Sequence, residues 1–460
     1  MAQKKTHAKR NGWNHYTPED AQPSVRFLMK TVSQNKTERE WIRWLRSDLA
    51  RRGAVQTGTE KLAPGDRVYL DWKGRAFLAA VIGTNGLDSG VTVIASHVDS
   101  PRVDIKGRPL YEEGNLAFLD CHYYGGLKKY QWTNIPLALH GEIHGTDGST
   151  RPVILGEEPS DPVLTIPDLE PHVDRDMASR KASETVIGED LDALTGHRPL
   201  GNEKHAVKAG ILKLLQENWS MAEKDFLAAD LALVPAGPAR FAGFDRSMVA
   251  AYGLDDRVCT AMSYKAFTDM DMPKRTALFM AVDREEIGSE SVGSAQGAFL
   301  DLFLLELLQG LGKSSDILSL KRLYSRSCAI SADVTAGMNP LYPKNYVRDQ
   351  QALLGNGIGM VKFSGHGGKY DGNEARGEFV ASVVATLDRA SVPWQTGSFG
   401  RVDKAGGGTI AKYLSRTGMD TVDIGPPLLS MHAPLELVSI VDIEATYQAY
   451  RALWTDLPMI

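Results

Sequence analysis

The chain has 460 residues, of which 43% are hydrophobic and 24% charged, and its 52 basic and 57 acidic residues give a formal net charge of -5. This length exceeds what one simple hydrophobic core organises, so we expect two domains. The slightly acidic balance offers no general attraction to nucleic acid or to an anionic membrane, which argues against both as partners.

Targeting and cysteine patterns favour a cytoplasmic protein. The basic run at residues 4–10 has no apolar segment after it and is interpreted as a solvated tail rather than a secretory signal. No stretch approaches the roughly 18 consecutive apolar residues that cross a bilayer, so no membrane span is expected. The cysteines, Cys121, Cys259 and Cys328, are few, odd in number and far apart, which argues against a disulfide framework.

The first hundred residues predict a helix followed by strands. Residues 38–49 have apolar side chains at helical spacing, and residues 68–70 and 77–82 have the composition of strands. The apolar run at residues 91–96 is typical of a strand buried on both faces, as in a parallel sheet.

The middle of the chain has a different texture. Short alternating runs, paired glycines and turn-rich stretches such as residues 145–148 extend from Leu110 to Pro235. Because the strongest ligand-type motifs lie on both sides of this block, we interpret 110–235 as a domain inserted between two parts of another, 1–109 and 236–460.

After Pro235, strands and helices alternate again. A helix is predicted at 256–267, an apolar strand ends before Asp283, a second helix lies near 299–311, and 441–457 has the stripe of an amphipathic helix. Such alternation is typical of parallel strands with helices on both faces. The predicted fold class is α/β, a mixed, largely parallel sheet flanked by helices and interrupted by a smaller β-rich domain.

Five short segments carry metal-binding side chains, each where an apolar run ends. They are His97 with Asp99, Asp255 with Asp256, Glu285 with Glu286, Asp333, and His432. Active sites of open α/β sheets form beyond the carboxyl ends of the strands. Each segment alone has an ordinary explanation, as a satisfied polar residue, a helix cap or a solvated loop. Five such segments together are harder to explain in these ordinary ways, because buried acids and imidazoles need partners that offset the cost of desolvation.

The adjacent acids suggest a division of roles. Asp255 and Asp256 begin a predicted helix, where capping is the ordinary interpretation. Two neighbouring divalent cations also need an anionic bridge, which Asp255 could supply. Of Glu285 and Glu286, one could bind a metal while its neighbour takes a proton from the attacking water.

A charge count is consistent with a centre of two metal ions. Asp255, Glu286 and Asp333 bring three negative charges against four positive ones, with His97 and His432 neutral. The centre therefore stays net positive, which suits polarisation of a carbonyl oxygen and a lowered pKa of bound water. Mixed histidine and carboxylate ligands suit zinc, with manganese or cobalt as alternatives.

These segments resemble the aspartyl aminopeptidase and aminopeptidase I family of dinuclear zinc metallopeptidases. The resemblance lies in residues 95–102, 253–257, 283–289, 331–333 and 430–434, in the family's order along the chain. Residues 123–132 and 406–411 are similar to the bacterial aminopeptidase I-like branch. The resemblance therefore covers nearly the whole chain.

The resemblance implies a ligand set for each metal ion. His97, Asp255 and Asp333 would hold one ion, while Asp255, Glu286 and His432 would hold the other. Asp255 would then be the bridge between the two ions.

The resemblance also implies roles beyond the ligands. Glu285 would be the general base, and Asp99 would support His97. The peptide bond between Asp255 and Asp256 is expected to be cis.

Relatives of this kind have a peptidase domain interrupted by a smaller β-rich domain that drives assembly into dimers and commonly into a tetrahedral dodecamer. The block 110–235 fits that role, so a homo-oligomer is expected. His172 resembles a histidine that relatives lend to a neighbouring subunit's active site, although an exposed loop histidine is the ordinary alternative.

The function expected is removal of the N-terminal residue from peptides with a free amine, by water that two metal ions activate. A metal carboxypeptidase or amide deacylase is the alternative within the same chemistry, and a non-catalytic self-assembling scaffold is the alternative of another class. The preferred N-terminal residue, acidic or apolar, stays open, and Lys369 is interpreted as a solvated loop lysine.

Overall fold

The fold is described from a computed structural model, for residues 11–58, 61–347 and 349–458. The basic run at residues 4–10, predicted to be a solvated tail, lies outside these residues.

The strands of the described chain are, in order, β1 Val55–Gln56, β2 Arg67–Trp72, β3 Ala76–Val81, β4 Val91–His97, β5 Arg102–Glu113, β6 Leu116–Tyr124, β7 Leu137–His144, β8 Thr150–Leu155, β9 Ala193–Gly196, β10 Ala229–Pro235, β11 Arg240–Ala242, β12 Met248–Ala251, β13 Thr276–Val282, β14 Cys328–Ser331, β15 Thr335–Ala336, β16 Ile358–Val361, β17 Gly365–His366, β18 Trp394–Thr396, β19 Gly406–Gly407, β20 Asp420–Gly425, β21 Pro427–Leu428 and β22 Glu436–Ser439. The α-helices are α1 Pro18–Gln34, α2 Glu38–Arg51, α3 Ala206–Trp219, α4 Leu254–Asp269, α5 Phe299–Gly310, α6 Ile317–Tyr324, α7 Gly377–Arg389, α8 Ala411–Ser415 and α9 Ile440–Asp456.

The described chain divides into two compact units. The larger unit comprises residues of the ranges 1–99, 239–431 and 436–460, and the inserted unit comprises 100–238 with 432–435. The predicted insert began at Leu110, which lies inside strand β5. That strand begins at Arg102, which pairs with Tyr124 of β6, and its register with β6 shifts between Ile105 and Leu110. The insert therefore starts before the change in sequence texture.

The larger unit is built on a mixed sheet. Within the described residues nine strands lie in the order β1-β2-β3-β13-β4-β14-β20-β16-β18. Strands β13, β4, β14 and β20 are mutually parallel, whereas β3 and β16 run antiparallel to their neighbours in this group. The expected mixed, largely parallel sheet is therefore confirmed. Its parallel order brings the carboxyl ends of β13, β4 and β14 to one edge.

Both faces of the central strands of this sheet are buried, as the apolar runs predicted. Every residue of β4 and β13 is buried. Ile94 and Phe279 face a core that includes residues of α1, α2, α4 and α9, whereas Val93 and Leu278 face a core with α5, α6 and α8. Each fully buried large apolar side chain contributes roughly 1.5–3 kcal/mol, so the central strands are fixed firmly on both sides.

The inserted unit is β-rich and antiparallel. Its strands lie in the order β8-β7-β10-β5-β6-β9, and α3 is its α-helix within the described residues. In β6, Ala117, Leu119 and Cys121 are buried while the residues between them are partly exposed. This alternation is typical of an antiparallel sheet packed on one face.

Among the helices of the described chain, none has both the length and the apolar character needed to cross a membrane.

Helix α9 is tied to a turn of the larger unit by a buried carboxylate. Asp442 is fully buried; its Oδ2 accepts the N–H of Gly355 at 2.6 Å and its Oδ1 the N–H of Gly357 at 2.7 Å. Both glycines have positive φ, and a Cβ at Gly357 would lie 2.0 Å from the carbonyl oxygen of Pro393. Burial raises the pKa of Asp442 to about 8.

This raised pKa predicts a pH-dependent stability. An unfolded aspartate has a pKa of about 3.9, so between about pH 4 and pH 8 the native state binds more protons at Asp442 than the unfolded state does. The free energy of unfolding should therefore fall as the pH rises through this window. In Asp442→Asn the fall should be shallower, by about 1 kcal/mol per pH unit, in urea denaturation with a chelator present. Identical pH dependence in the two proteins would contradict this assignment.

Candidate metal centre

His97 ends strand β4 with its imidazole held from both sides. Its Nδ1 lies 3.0 Å from the carbonyl oxygen of Asp99 and 3.4 Å from Asp99 Oδ1, and its Nε2 lies 3.3 Å from Asp255 Oδ1. With an N–H at Nδ1 donating to Asp99, Nε2 is the nitrogen that would bind a metal ion in place of its contact with Asp255, which is the arrangement of a metal-ligating histidine. Burial lowers the pKa of His97, but hydrogen bonds to Asp255 and Asp99 outweigh it and raise the pKa well above its usual value.

Asp255 and Asp256 begin helix α4 but lack helical backbone angles. The peptide bond between them is cis, as predicted. The N–H of Asp255 donates to Glu436 Oε2 at 3.0 Å. Burial raises the pKa of Asp256 well above its usual value, and the charge of Asp255 adds to this against the opposing charge of His97.

The two adjacent glutamates lie on a turn that Asp99 holds. Arg284 has left-handed backbone angles, with φ 66° and ψ 23°, and Glu285–Ile287 forms a single 3-10 turn directly after it. Asp99 Oδ1 accepts the N–H of Glu285 and Oδ2 accepts the N–H of Glu286, each at 3.2 Å. The side chain of Asp99 is therefore bonded to the glutamate turn as well as lying beside His97, a contact that the sequence did not predict.

Asp333 follows strand β14 at the same edge of the sheet and is buried. Burial, and then the charge of Asp256, raise the pKa of Asp333 well above its usual value. The two carboxylates therefore repel each other, and a cation held by both would relieve that repulsion.

Within the described residues, two groups of side chains could each hold a metal ion. One is His97 with Asp256 and Asp333, and the other is His97 with Asp255 and Glu286; the ligand atoms of each group lie within 4.8 Å of one another. His97 is common to both groups. In the expectation from the resemblance, Asp255 was common to both ions and Asp256 was only its neighbour, whereas here Asp256 lies with Asp333.

The donor set fits divalent metal ions. Four carboxylates gather around one imidazole, and all but that of Glu286 belong to buried residues. Burying so many like charges is costly unless cations offset them. Mixed nitrogen and oxygen donors are suited to zinc.

Three other sequence candidates lie outside these groups. His432 belongs to the segment that clusters with the inserted unit, and its Nδ1 lies 3.1 Å from the carbonyl oxygen of Gly126. His172 is exposed, in a turn of the inserted unit. Lys369 pairs with Glu374 at 2.9 Å, and both side chains are about half exposed, as expected of a solvated loop lysine.

Sequence reasoning missed Glu436, the buried acid that accepts the N–H of Asp255. Glu436 starts strand β22 only four residues after His432, but one acid at a strand start has no signal that distinguishes it from a solvated one.

Comparisons with known proteins agree with the geometry. The family described as aminopeptidase I zinc metalloprotease (M18) matches residues 31–454. The chain is 40% identical over 455 residues to the probable M18 family aminopeptidase 1 of Clostridium acetobutylicum, covering 96% of this chain and 97% of that relative.

Solved structures agree as well. The crystal structure of an M18 family aminopeptidase from Thermotoga maritima matches with a TM-score of 0.94 at 38% identity, covering 97% of this chain and 99% of that one. The S. cerevisiae mApe1 dodecamer matches with a TM-score of 0.74 at 19% identity, covering 94% and 96%, which shows a shared fold.

The double contact of Asp99 predicts an effect on metal affinity. In Asp99→Asn an NH2 group replaces one acceptor, so the N–H of Glu285 or Glu286 would face another donor and the turn would shift. Zinc affinity should fall about 10- to 100-fold, measured by competition with a chromophoric chelator. Asp316→Asn is the control, because Asp316 also accepts a backbone N–H, that of Ser319 at 2.7 Å, but caps helix α6. Equal affinities of Asp99→Asn and wild type would refute this role.

Proposed function

This chain belongs to the aminopeptidase I zinc metalloprotease family (M18) and is a metalloaminopeptidase, and we propose that Glu285 is the general base of its reaction. The observation that carries the proposal is the unequal placement of two adjacent glutamates. Glu286 lies in a candidate ligand group, whereas Glu285, on the same turn, belongs to neither group among the described residues. A carboxylate beside the ligands but outside both ligand groups is placed to accept a proton rather than to hold a metal ion.

We propose that the centre holds two divalent ions, most simply zinc, with manganese or cobalt as alternatives. The residues that would hold them are His97, Asp255, Asp256, Glu286 and Asp333, with His432 as a further ligand by the family resemblance. When bound, such ions polarise the scissile carbonyl and lower the pKa of the attacking water.

The residues of this chain then handle the proton. Glu285 accepts it from the water that attacks the first peptide carbonyl and passes it to the departing amine, as general acid–base catalysis requires. Asp99 fixes the position of Glu285 through the N–H bond at 3.2 Å. Because His97 also hydrogen-bonds to Asp99, the proposed base Glu285 and the candidate ligand His97 are positioned by the same residue.

The substrate proposed is a peptide with a free N-terminal amine. The carboxypeptidase, deacylase and scaffold alternatives have no observation in their favour, since the family is one of aminopeptidases. Lys369 does not favour an acidic N-terminal residue, because its amine already pairs with Glu374.

We propose that the inserted unit drives assembly into dimers and a tetrahedral dodecamer. Its surface exposes large apolar side chains, among them Ile154, Leu169 and Val173, which are 51%, 59% and 62% exposed. Exposed apolar groups of this kind are typical of surfaces that pack against another protein. A cytoplasmic location is proposed on the three cysteines, which are all free and buried.

Replacing the base should separate metal binding from turnover. Glu285→Gln removes the proton acceptor and keeps the shape, so the variant should bind zinc like wild type and lose about 10²- to 10⁴-fold in kcat. Steady-state kinetics on a peptide substrate and metal analysis measure the two quantities. Glu290→Gln, an exposed glutamate further along the same loop, is the matched control and should keep wild-type kcat. Wild-type turnover in Glu285→Gln would remove the assignment.

We propose that His172 acts in the active site of a neighbouring subunit, as the family resemblance implies. His172→Ala should assemble and bind metal normally, because the side chain is exposed, yet turn over poorly. Size-exclusion chromatography, metal analysis and peptide kinetics on one preparation give all three readings. Full activity in an assembled His172→Ala enzyme would exclude the shared site.

A further inference from the structure

We propose that Glu38, the first residue of helix α2, is a positioning residue for this reaction; the proposal rests on the proposed role of Glu285. Glu38 is a member of neither candidate ligand group among the described residues. It acts through Arg284, the residue just before the base.

Glu38 closes a ring of four charged side chains. Its Oε1 accepts a hydrogen bond from Nη1 of Arg75 and another from Nη1 of Arg284, each at 2.9 Å. The same nitrogen of Arg75 also donates to Asp283 Oδ2 at 3.3 Å. The same nitrogen of Arg284 donates to Asp283 Oδ1, also at 3.3 Å. Two acids therefore alternate with two guanidinium groups.

The ring is largely removed from water. The side chains of Glu38 and Asp283 are 4% and 0% exposed, and those of Arg75 and Arg284 are 12% and 17% exposed. Charges at this depth are screened little by solvent, so the loss of one member leaves the others uncompensated. Glu38 is thus the counter-ion that lets both arginines lie against Asp283.

The ring holds the backbone that leads into the base. Arg284 has left-handed backbone angles, which a residue with a Cβ disfavours, and its guanidinium is anchored at the far end by Glu38. The next two N–H groups, of Glu285 and Glu286, are held by Asp99. The turn is therefore held at two places. Asp99 accepts the backbone N–H groups of Glu285 and Glu286, and Glu38 binds the side chain of Arg284, the residue before the turn.

Local packing also holds the loop after Asp283 against Arg75. Asp283 donates its N–H to the carbonyl oxygen of Gly293 at 3.0 Å. A Cβ at Gly293 would lie 2.4 Å from the Cβ of Arg75, so glycine permits the approach of the loop to that arginine.

The start of helix α2 is fixed as well. Thr37 Oγ1 accepts the N–H of Glu40 at 3.4 Å, and Glu40 Oε2 accepts the N–H groups of Thr37 at 2.8 Å and Lys36 at 2.7 Å. This capping box defines the position from which Glu38 projects.

The test uses Glu38→Gln in the zinc-loaded full chain. Removing the charge should lower kcat about 10- to 100-fold while KM stays within about twofold, because the base is misplaced and the substrate contacts are not. Amide hydrogen exchange over residues 284–289 should become faster. The control is Arg46→Gln, which breaks the 3.0 Å ion pair of the same helix with Asp71 of strand β2 and should leave kcat and exchange at wild-type values.

The outcomes distinguish the claims. Wild-type kcat and exchange in folded Glu38→Gln, or an equal loss in Arg46→Gln, would overturn the role of Glu38. If Glu38→Gln does not fold, Glu38→Asp replaces it: it keeps the charge on a shorter chain and should give a smaller loss of kcat with the same KM, and wild-type kcat there would overturn the proposal. An active Glu285→Gln would instead overturn the proposed function, whatever Glu38 does.

Discussion

The candidate site depends above all on one buried carboxylate, that of Asp99. It lies two residues after His97, the last residue of β4, and it accepts the N–H groups of Glu285 and Glu286 beyond the neighbouring strand β13. Since β4 and β13 are parallel and adjacent, their carboxyl ends lie side by side, and one short side chain can join them. Two candidate ligands, His97 and Glu286, and the proposed base Glu285 are thereby all hydrogen-bonded to Asp99.

Electrostatics explains why this edge of the sheet is suited to metal ions rather than being an ordinary polar rim. Carboxylates of Asp255, Asp256 and Asp333 lie together in buried residues, and two of them have pKa values raised by burial and by neighbouring charge. A cluster of this kind is unstable as anions alone and is stabilised by divalent cations. Outside this cluster, the acids of the ring through Glu38 are paired with arginines instead.

The sequence predicted those features that depend on local patterns. Strands β4 and β13 were visible as continuous apolar runs, and helix α9 was visible from the helical spacing of its apolar residues. The motifs around His97 and Glu285 carried the family resemblance. The grouping of Asp256 with Asp333 was not visible, because it depends on which strand lies beside which. Glu38 was missed for the same reason, since its partners come from distant parts of the chain.

The most direct test of the account is anomalous diffraction at the zinc edge from crystals of the zinc-loaded protein. Two anomalous peaks are expected beside His97, with Glu286 coordinating an ion and Glu285 outside the coordination of both. Asp99 should keep its bonds to the turn without touching either ion. The absence of a peak beside His97, or direct coordination by Glu285, would contradict the account.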